Sequence, residues 1–217
     1  MSSQKARPEK ARAGKPASDT AAPKAPQRQR GRDRVALLLA AGAQVFAQKG
    51  FDAATMTEIA AAAGASIGSL YQFFPTKAAL ADALLEQYMT AVHAHLDGIA
   101  TKATVAPLPD LAQALCHALL TMRAANPALV VLIENGNIDP AMIATIRKEM
   151  RQRVAGILQK RAPKLQGADL AATAAAVLQM MKSAAAMNAD VTLPGRKAAL
   201  EELVQMLHAY LQQRLKA

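Results

Sequence analysis

The sequence predicts an all-α fold, and three observations support this class. Of the 217 residues, 52% are hydrophobic but only 3% are aromatic, and there is no Trp. The apolar residues are mainly Ala, Leu, Val, Ile and Met; Ala, Leu and Met favour helices, whereas strands are enriched in aromatic and β-branched residues. Apolar positions recur at i, i+3, i+4 and i+7, and capping residues, Gly and Pro separate these stretches. About nine helices account for the chain.

A basic N-terminal segment precedes the first helix. Residues 1–32 contain no Leu, Ile, Val or aromatic residue, so they are predicted to be a disordered tail that cannot bury enough apolar surface to fold. The chain carries 26 Lys and Arg against 16 acidic residues, a net charge of +10, and residues 1–34 hold ten of these cations and three of the acids. Such an excess indicates an anionic partner such as nucleic acid, although a solvated tail without a partner has the same composition.

The first helix is predicted to begin near Asp33, which is a reasonable cap, and to end at Lys49–Gly50, where a Gly in the left-handed region is a common stop. Its apolar residues share one face at helical spacing. The apolar stretch at 35–47 has a basic segment before it, but it is too short to span a bilayer, which needs about 20 residues. It is therefore interpreted as a buried helix.

The next two helices are short and close together. Thr55 and Glu58 form a capping box that opens the second helix, and this helix stops at Gly64, which can adopt the positive φ of a tight turn. Ser66 caps a third helix over about residues 66–73. This arrangement predicts a helix-turn-helix.

Longer helices fill the rest of the chain. Thr76 caps a fourth helix that runs from Lys77 to about Ile99 and has a wide apolar stripe. Further helices are predicted to begin near residues 111, 127, 140, 169 and 194. Leu-rich and Ala-rich stripes on the last two helices predict a homodimer interface, although the same stripes also suit packing within one protomer.

No catalytic or metal site is predicted. Cys116 is the only cysteine, which excludes an internal disulfide and suits a reducing cytoplasm, and its apolar helical surroundings indicate a small core residue. The four histidines lack the spacing of metal ligands, and no activated nucleophile, paired carboxylates or phosphate loop is evident. We therefore expect neither an enzyme nor a cofactor.

In a helix-turn-helix the second helix enters the major groove of DNA and its N-terminal residues meet the base edges. Gln72 can make a bidentate pair with adenine, Ser69 can bond a base or a phosphate, and Ile67 can meet a thymine methyl group. Ser66 and Gly68 complete this predicted base-reading set. The predicted partner is therefore double-stranded DNA.

The segment GASIGSLYQFFPTKAAL, residues 64–80, resembles the recognition segment of the TetR family of transcriptional regulators, G-V-S-x-G-T/S-L-Y-x-x-F-x-x-K-x-x-L. The resemblance covers about residues 33–90, and the Tyr-x-x-Phe-x-x-Lys extension is more specific than a generic helix-turn-helix. The matching positions are Gly64, Ser66, Gly68, Ser69, Leu70, Tyr71, Phe74, Lys77 and Leu80, with Phe46, Gly50 and the segment from Met56 to Ala60 upstream.

The resemblance implies an architecture and a set of contacts. It implies a helix-turn-helix domain over 33–78 and a helical effector-binding and dimerisation domain over 79–217. It assigns phosphate contacts to three side chains, one of them either of two threonines, with a helix N-terminus as an additional phosphate site. These side chains are Thr55 or Thr57, Tyr71 and Lys77.

The implied function is that of a cytoplasmic homodimer that binds a pseudo-palindromic operator, most simply as a repressor released by a small-molecule ligand. Dimerisation is expected through the last two helices, and no membrane partner is expected. A ligand-independent DNA-binding protein of the same fold is an alternative, and a small helical enzyme or carrier is a less favoured one. The sequence assigns no residue to the ligand.

The charge of the reading segment conflicts with a duplex partner. Residues 35–90 contain only Lys49 and Lys77 against four acidic residues, a net charge of −2. The basic tail reverses this sign. Deletion of residues 1–32 is therefore expected to weaken DNA binding at every sequence and to flatten its salt dependence.

Overall fold

The computed structural model describes residues 27–134 and 138–215 of the protein. Within these ranges the chain forms nine helices and no strand, which confirms the predicted all-α class. The helices are α1 (Gln27–Ala53), α2 (Met56–Ala62), α3 (Ile67–Phe73), α4 (Lys77–Lys102), α5 (Leu108–Ala125), α6 (Pro127–Glu134), α7 (Pro140–Arg161), α8 (Gly167–Ala189) and α9 (Arg196–Arg214).

Helix α1 begins at Gln27, well before the predicted start at Asp33. Gln and Arg are good helix formers, and the Gln29 side-chain amide donates a hydrogen bond of 2.9 Å to the Asp33 carboxylate one turn later. The predicted disorder of residues 1–32 is therefore corrected for residues 27–32, which are helical. The rest of that predicted tail lies outside the described residues.

The first three helices form the predicted helix-turn-helix head. Ile59 of α2 and Leu70 of α3 are fully buried against each other's helices, and Ala60 is buried beside them, so the two helices cross closely. The turn between them passes through Gly64 at φ 57, a conformation that strains a residue with a side chain. Gly50, at φ 78, kinks α1 at its predicted end.

Helix α8 is the central helix of the C-terminal body and packs against α5, α7 and α9. Its mean hydropathy of 1.3 over 18 residues makes it the one described helix long and apolar enough to cross a membrane by length and composition. One face is buried in the body, as expected for a core helix. This marginal apolar helix therefore does not indicate a membrane protein.

Helices α4 and α6 connect the head to the body. The wide apolar stripe predicted for α4 is buried, and it consists of Leu80, Leu84, Leu85, Tyr88, Val92 and Leu96. Helix α4 packs against α1 in the head and against α5 and α7 in the body, so it spans the domain boundary that the sequence places at 78–79. Helix α6 packs extensively on α1, a contact that the sequence did not indicate.

Candidate nucleic-acid interface

Two side-chain caps fix the head. The Thr55 hydroxyl accepts a hydrogen bond of 3.2 Å from the Glu58 amide and donates one of 3.0 Å to the Glu58 carboxylate, while the Thr55 amide donates to the same carboxylate. The predicted capping box is therefore confirmed. The Ser66 hydroxyl likewise accepts from the Ser69 amide, 3.2 Å away, at the start of α3. These bonds fix where both helices begin.

The face of α3 opposite the buried Leu70 points outward. Ile67 and Tyr71, one turn apart, are 41% and 48% exposed, and Gly68 and Gln72 form a second exposed pair beside them. Large apolar side chains are usually covered in a monomer, so a short helix that exposes them next to a polar amide is suited to a partner. The structure thus brings the predicted base-reading residues onto one surface.

Arg34 reaches this surface from α1. Its Nε atom donates a hydrogen bond of 3.2 Å to the Ser69 hydroxyl, and both side chains are partly buried. Arg30 lies four residues earlier in the same helix, so the two side chains follow one face. Neither arginine was predicted as a DNA contact; Arg30 lies in the predicted tail, and Arg34 lies just after the predicted start of the first helix. The four-residue spacing, together with neighbouring Gln and Arg, is the signal that identifies them.

Lys77 is engaged within the protein. Its ammonium group donates hydrogen bonds to the backbone carbonyls of Phe51, Asp52 and Ala54, at 2.5, 3.0 and 2.9 Å. It also lies 4.5 Å from the centre of the Phe51 ring. An ammonium group has three N–H donors, and all three are used here. The geometry therefore gives Lys77 a structural role at the end of α1, and the phosphate contact that the resemblance assigns to it stays a prediction.

The two predicted threonines differ in availability. The Thr55 hydroxyl is occupied by the capping box on both its donor and acceptor sides. The Thr57 side chain is exposed on α2 and makes no hydrogen bond to any residue that the structure describes. Of this pair, Thr57 is the one that remains available for a phosphate.

The other lysine of the head is also paired. Lys49 Nζ lies 2.6 Å from a Glu58 carboxylate oxygen. Hydrogen bonds from Lys49 and Thr55 hold the pKa of Glu58 below its ordinary value, so this carboxylate is ionised at neutral pH. Both cations of residues 35–90 are thus neutralised or occupied internally. Among the described residues, the positive charge next to α3 comes from the arginines of early α1.

Sequence comparisons match both parts of the chain. The profile described as bacterial regulatory proteins, tetR family, matches residues 38–84, which run from α1 into α4. The profile described as tetracyclin repressor-like, C-terminal domain, matches residues 107–211, which run from α5 into α9. A search of curated proteins gave no match.

Solved structures share the fold over most of the chain. A bacterial regulatory protein of the tetR family from Rhodococcus RHA1 is 26% identical, with a TM-score of 0.59 over 82% of this chain and 96% of that one. FadR from Bacillus subtilis, in complex with stearoyl-CoA, is 15% identical, with a TM-score of 0.64 over 80% and 97%. AibR, in complex with isovaleryl coenzyme A and operator DNA, is 17% identical, with a TM-score of 0.59 over 81% and 98%.

Proposed function

The chain belongs to the TetR family of bacterial transcriptional regulators, and from this membership we propose that it is a cytoplasmic homodimeric repressor which a small-molecule ligand releases from its operator. The outward face of α3, with its exposed apolar and amide side chains, is the observation that carries the DNA-binding part. FadR and AibR were solved with acyl-CoA ligands, and AibR also with operator DNA, which supports the ligand-responsive part.

In this proposal α3 lies in the major groove. Gln72 pairs with adenine, Ile67 contacts a thymine methyl group, and Gly68 lets the helix backbone approach the bases. Ser66 and Ser69 bond base edges or nearby phosphates. Four of these five residues are exposed and Ser69 is partly so, on the side of α3 away from the buried Leu70, which supports the assignment.

Phosphate contacts surround this base-reading face. Tyr71 and Thr57 are exposed and carry hydroxyl groups, so we assign both to the DNA backbone. Arg34 uses one N–H on Ser69 and has other donors for a phosphate, and Arg30 lies one turn away. This assignment moves the source of positive charge from a disordered tail to a helix with a fixed position.

Selection of bound duplexes from a random pool tests the function. A pseudo-palindrome with half-sites separated by whole turns of DNA is expected, because a two-fold dimer presents two copies of α3. Adding ligand candidates to the selected duplex then separates a ligand-released repressor from a ligand-independent binder of the same fold. A pool that shows no enrichment would contradict sequence-specific binding.

Replacing Arg30 and Arg34 together with Gln is expected to weaken binding to every duplex. Each lost phosphate contact removes about one unit from the slope of log K against log salt, so the slope should fall by about two. Fluorescence anisotropy over a salt series measures it. The control is the double variant Lys164→Gln and Lys197→Gln. It removes two positive charges from exposed lysines of the body.

A protein lacking residues 1–26 but keeping Arg30 and Arg34 completes the comparison. If this truncation lowers the slope and the double arginine variant does not, the charge that contacts DNA lies in the N-terminal segment and our assignment to α1 is wrong.

We further propose that α8 and α9 form the dimer interface. On α9, Leu203 and Tyr210 are only half-buried and Met206 between them is 58% exposed. On α8, Ala172 is exposed and Ala176 partly exposed, and such small residues allow close approach of another helix. A partner protomer that covers both stripes accounts for this exposure of apolar side chains.

Met206→Glu is expected to shift the protein from dimer to monomer. A carboxylate placed in the interface is left buried without a partner and should weaken the dimer by at least about 2 kcal/mol, or roughly 30-fold. Size-exclusion chromatography with light scattering measures the mass, and circular dichroism checks the fold. Gln205→Glu, an exposed neighbour on α9, is the matched control. An unchanged dimer in Met206→Glu would place the interface elsewhere.

A further inference from the structure

A small, partly open cavity lies between α4, α5, α6 and α8. Its volume is about 100 Å³, and it is lined by apolar side chains together with Tyr88, Arg123, Asn126 and Lys182. A larger groove of about 540 Å³ runs between α1, α4 and the start of α6. Tyr88, Asn126 and Leu129 line both spaces, so the groove and the cavity adjoin.

Lys182 is the unusual residue of this cavity. It is the only charged residue between Asp169, in the first turn of α8, and Asp190, and the residues between them are mainly Ala, Leu and Met. Its side chain is partly buried, and it forms no hydrogen bond or ion pair with any residue that the structure describes. A cation held in apolar surroundings is costly unless an anion accompanies it.

Among the residues that the structure describes, the charged groups that act on Lys182 or share its cavity are arginines. Arg123 lines the same cavity, and Arg147 and Arg151 of α7 are close enough to act on Lys182. Burial, followed by these two arginines, lowers the pKa of Lys182. Burial also raises the pKa of Tyr88, so its hydroxyl remains a neutral hydrogen-bond donor at neutral pH. Lys182 and Tyr88, which both line the cavity, therefore offer a cation and a hydroxyl donor to an anion there.

The adjoining groove has the opposite character. Its wall consists mostly of Ala and Leu side chains from α1, α4 and α6, including Leu39, Leu84 and Leu129. Such a wall suits an aliphatic chain, and few aromatic residues are present to stack on a flat ring. The two spaces together match a molecule with one charged end and one apolar end.

We propose that the effector is an anionic amphiphile whose carboxylate or phosphate binds Lys182 beside Tyr88 and whose apolar chain lies in the groove between α1, α4 and α6. This assignment rests on the ligand-responsive function proposed above and specifies the class of ligand. Because Leu39 belongs to α1, the chain of the ligand touches the helix that carries Arg34. Occupation of the groove therefore changes the packing of the head on α6 directly.

The test uses three probes with the same ten-carbon chain: decanoate, decanoyl-CoA and decanol. Isothermal titration calorimetry is expected to show that at least one anion binds the full-length protein ten-fold or more tightly than decanol. Binding of decanoate identifies a carboxylate site, whereas binding of decanoyl-CoA alone identifies a phosphate-containing ligand. Equal affinity for decanol and both anions, or no binding of any probe, would overturn the proposal.

Variants at Lys182 assign the effect to this residue. Lys182→Met is expected to lose the preference for the anion, and Lys182→Arg to keep it. Lys197→Met, at a fully solvated lysine of α9, is the control. Lys182→Met should melt at the same temperature as the wild type or above it, since it removes an unpaired cation from an apolar site. A Lys182→Met protein that binds the anion like the wild type would refute the assignment.

Binding to the selected operator is measured in the same samples, so that the two proposals fail separately. If the anion binds through Lys182 but leaves the operator complex intact, the proposed class of ligand is kept and the proposed release of the operator by this ligand is wrong. If the protein binds the operator but prefers neither anion over decanol, the proposed DNA-binding function is kept and the proposed class of ligand is wrong.

Discussion

Lys77→Met is expected to lower the free energy of unfolding by about 2–3 kcal/mol, because charged hydrogen bonds contribute roughly this much and their carbonyl acceptors are left without a partner. The Lys77 ammonium holds three carbonyls at the end of α1, from Phe51, Asp52 and Ala54. Met keeps most of the aliphatic stem, so the loss reports on the ammonium. Urea unfolding followed by circular dichroism measures it.

Lys49→Met is the matched control for this prediction. It removes the other lysine of the head and breaks the ion pair with Glu58, in which both side chains are about half exposed. Exposed pairs contribute about 0–1 kcal/mol, so the control should be clearly more stable than Lys77→Met. The salt dependence of DNA binding, measured where both variants are folded, should keep the wild-type slope. If Lys77→Met is as stable as the wild type and its slope of log K against log salt falls by about one unit, Lys77 contacts a phosphate and its structural role is wrong.

The position of Lys77 also bears on regulation. It is the first residue of α4, and through its three hydrogen bonds it ties α4 to the segment that follows the kink of α1 at Gly50. Leu80, one turn later, packs directly against α1 at Gly42, where a Cβ atom would lie 2.8 Å from a Leu80 methyl carbon. A ligand can shift the protein only by binding its two states with different affinity. In the proposed ligand response, a displacement of α4 would reach α1 through the hydrogen bonds of Lys77 and the contact of Leu80 with Gly42.

Much of the head was predictable because its determinants are local. The capping box of Thr55 and Glu58, the turn at Gly64 and the cap at Ser66 depend on residues at most a few positions apart, and the structure has all of them. The buried stripe of α4 follows from helical spacing alone. Such features are set by backbone hydrogen bonding and amphipathicity, which the sequence displays directly.

The roles of Lys77 and Arg34 were not predictable in the same way. A motif fixes which residue type occupies a position, but the atoms that it contacts depend on how distant segments pack. Lys77 meets carbonyls more than twenty residues earlier in the chain, and Arg34 meets Ser69 on another helix. The packing of α6 on α1 is likewise a long-range contact between two apolar surfaces. The composition of residues 1–32 predicts a disordered tail, but Arg30 and Arg32 of that segment lie in α1, because the helix begins at Gln27.

Gly68→Ala is expected to make the protein more stable while it weakens DNA binding about ten-fold or more. Gly68 is exposed in α3, and a Cβ atom added there meets no protein atom within 4 Å. Ala is favoured over Gly in a helix by about 0.5–1 kcal/mol, so the unfolding free energy should rise by up to that amount. In the major groove the same methyl group separates the helix backbone from the bases, and each displaced base contact costs about 1–3 kcal/mol.

Gly98→Ala isolates the helix effect from the DNA effect. Gly98 is also exposed in a helix with no protein atom within 4 Å of an added Cβ, but it lies in α4, far along the chain from the reading face. It should gain stability as Gly68→Ala does and bind the operator like the wild type. Equal operator affinity for both variants would place the face of α3 around Gly68 outside the DNA interface. If Gly68→Ala raises stability but weakens operator binding, and Gly98→Ala only raises stability, a partner must lie against the face of α3 around Gly68. The added methyl group meets no protein atom there.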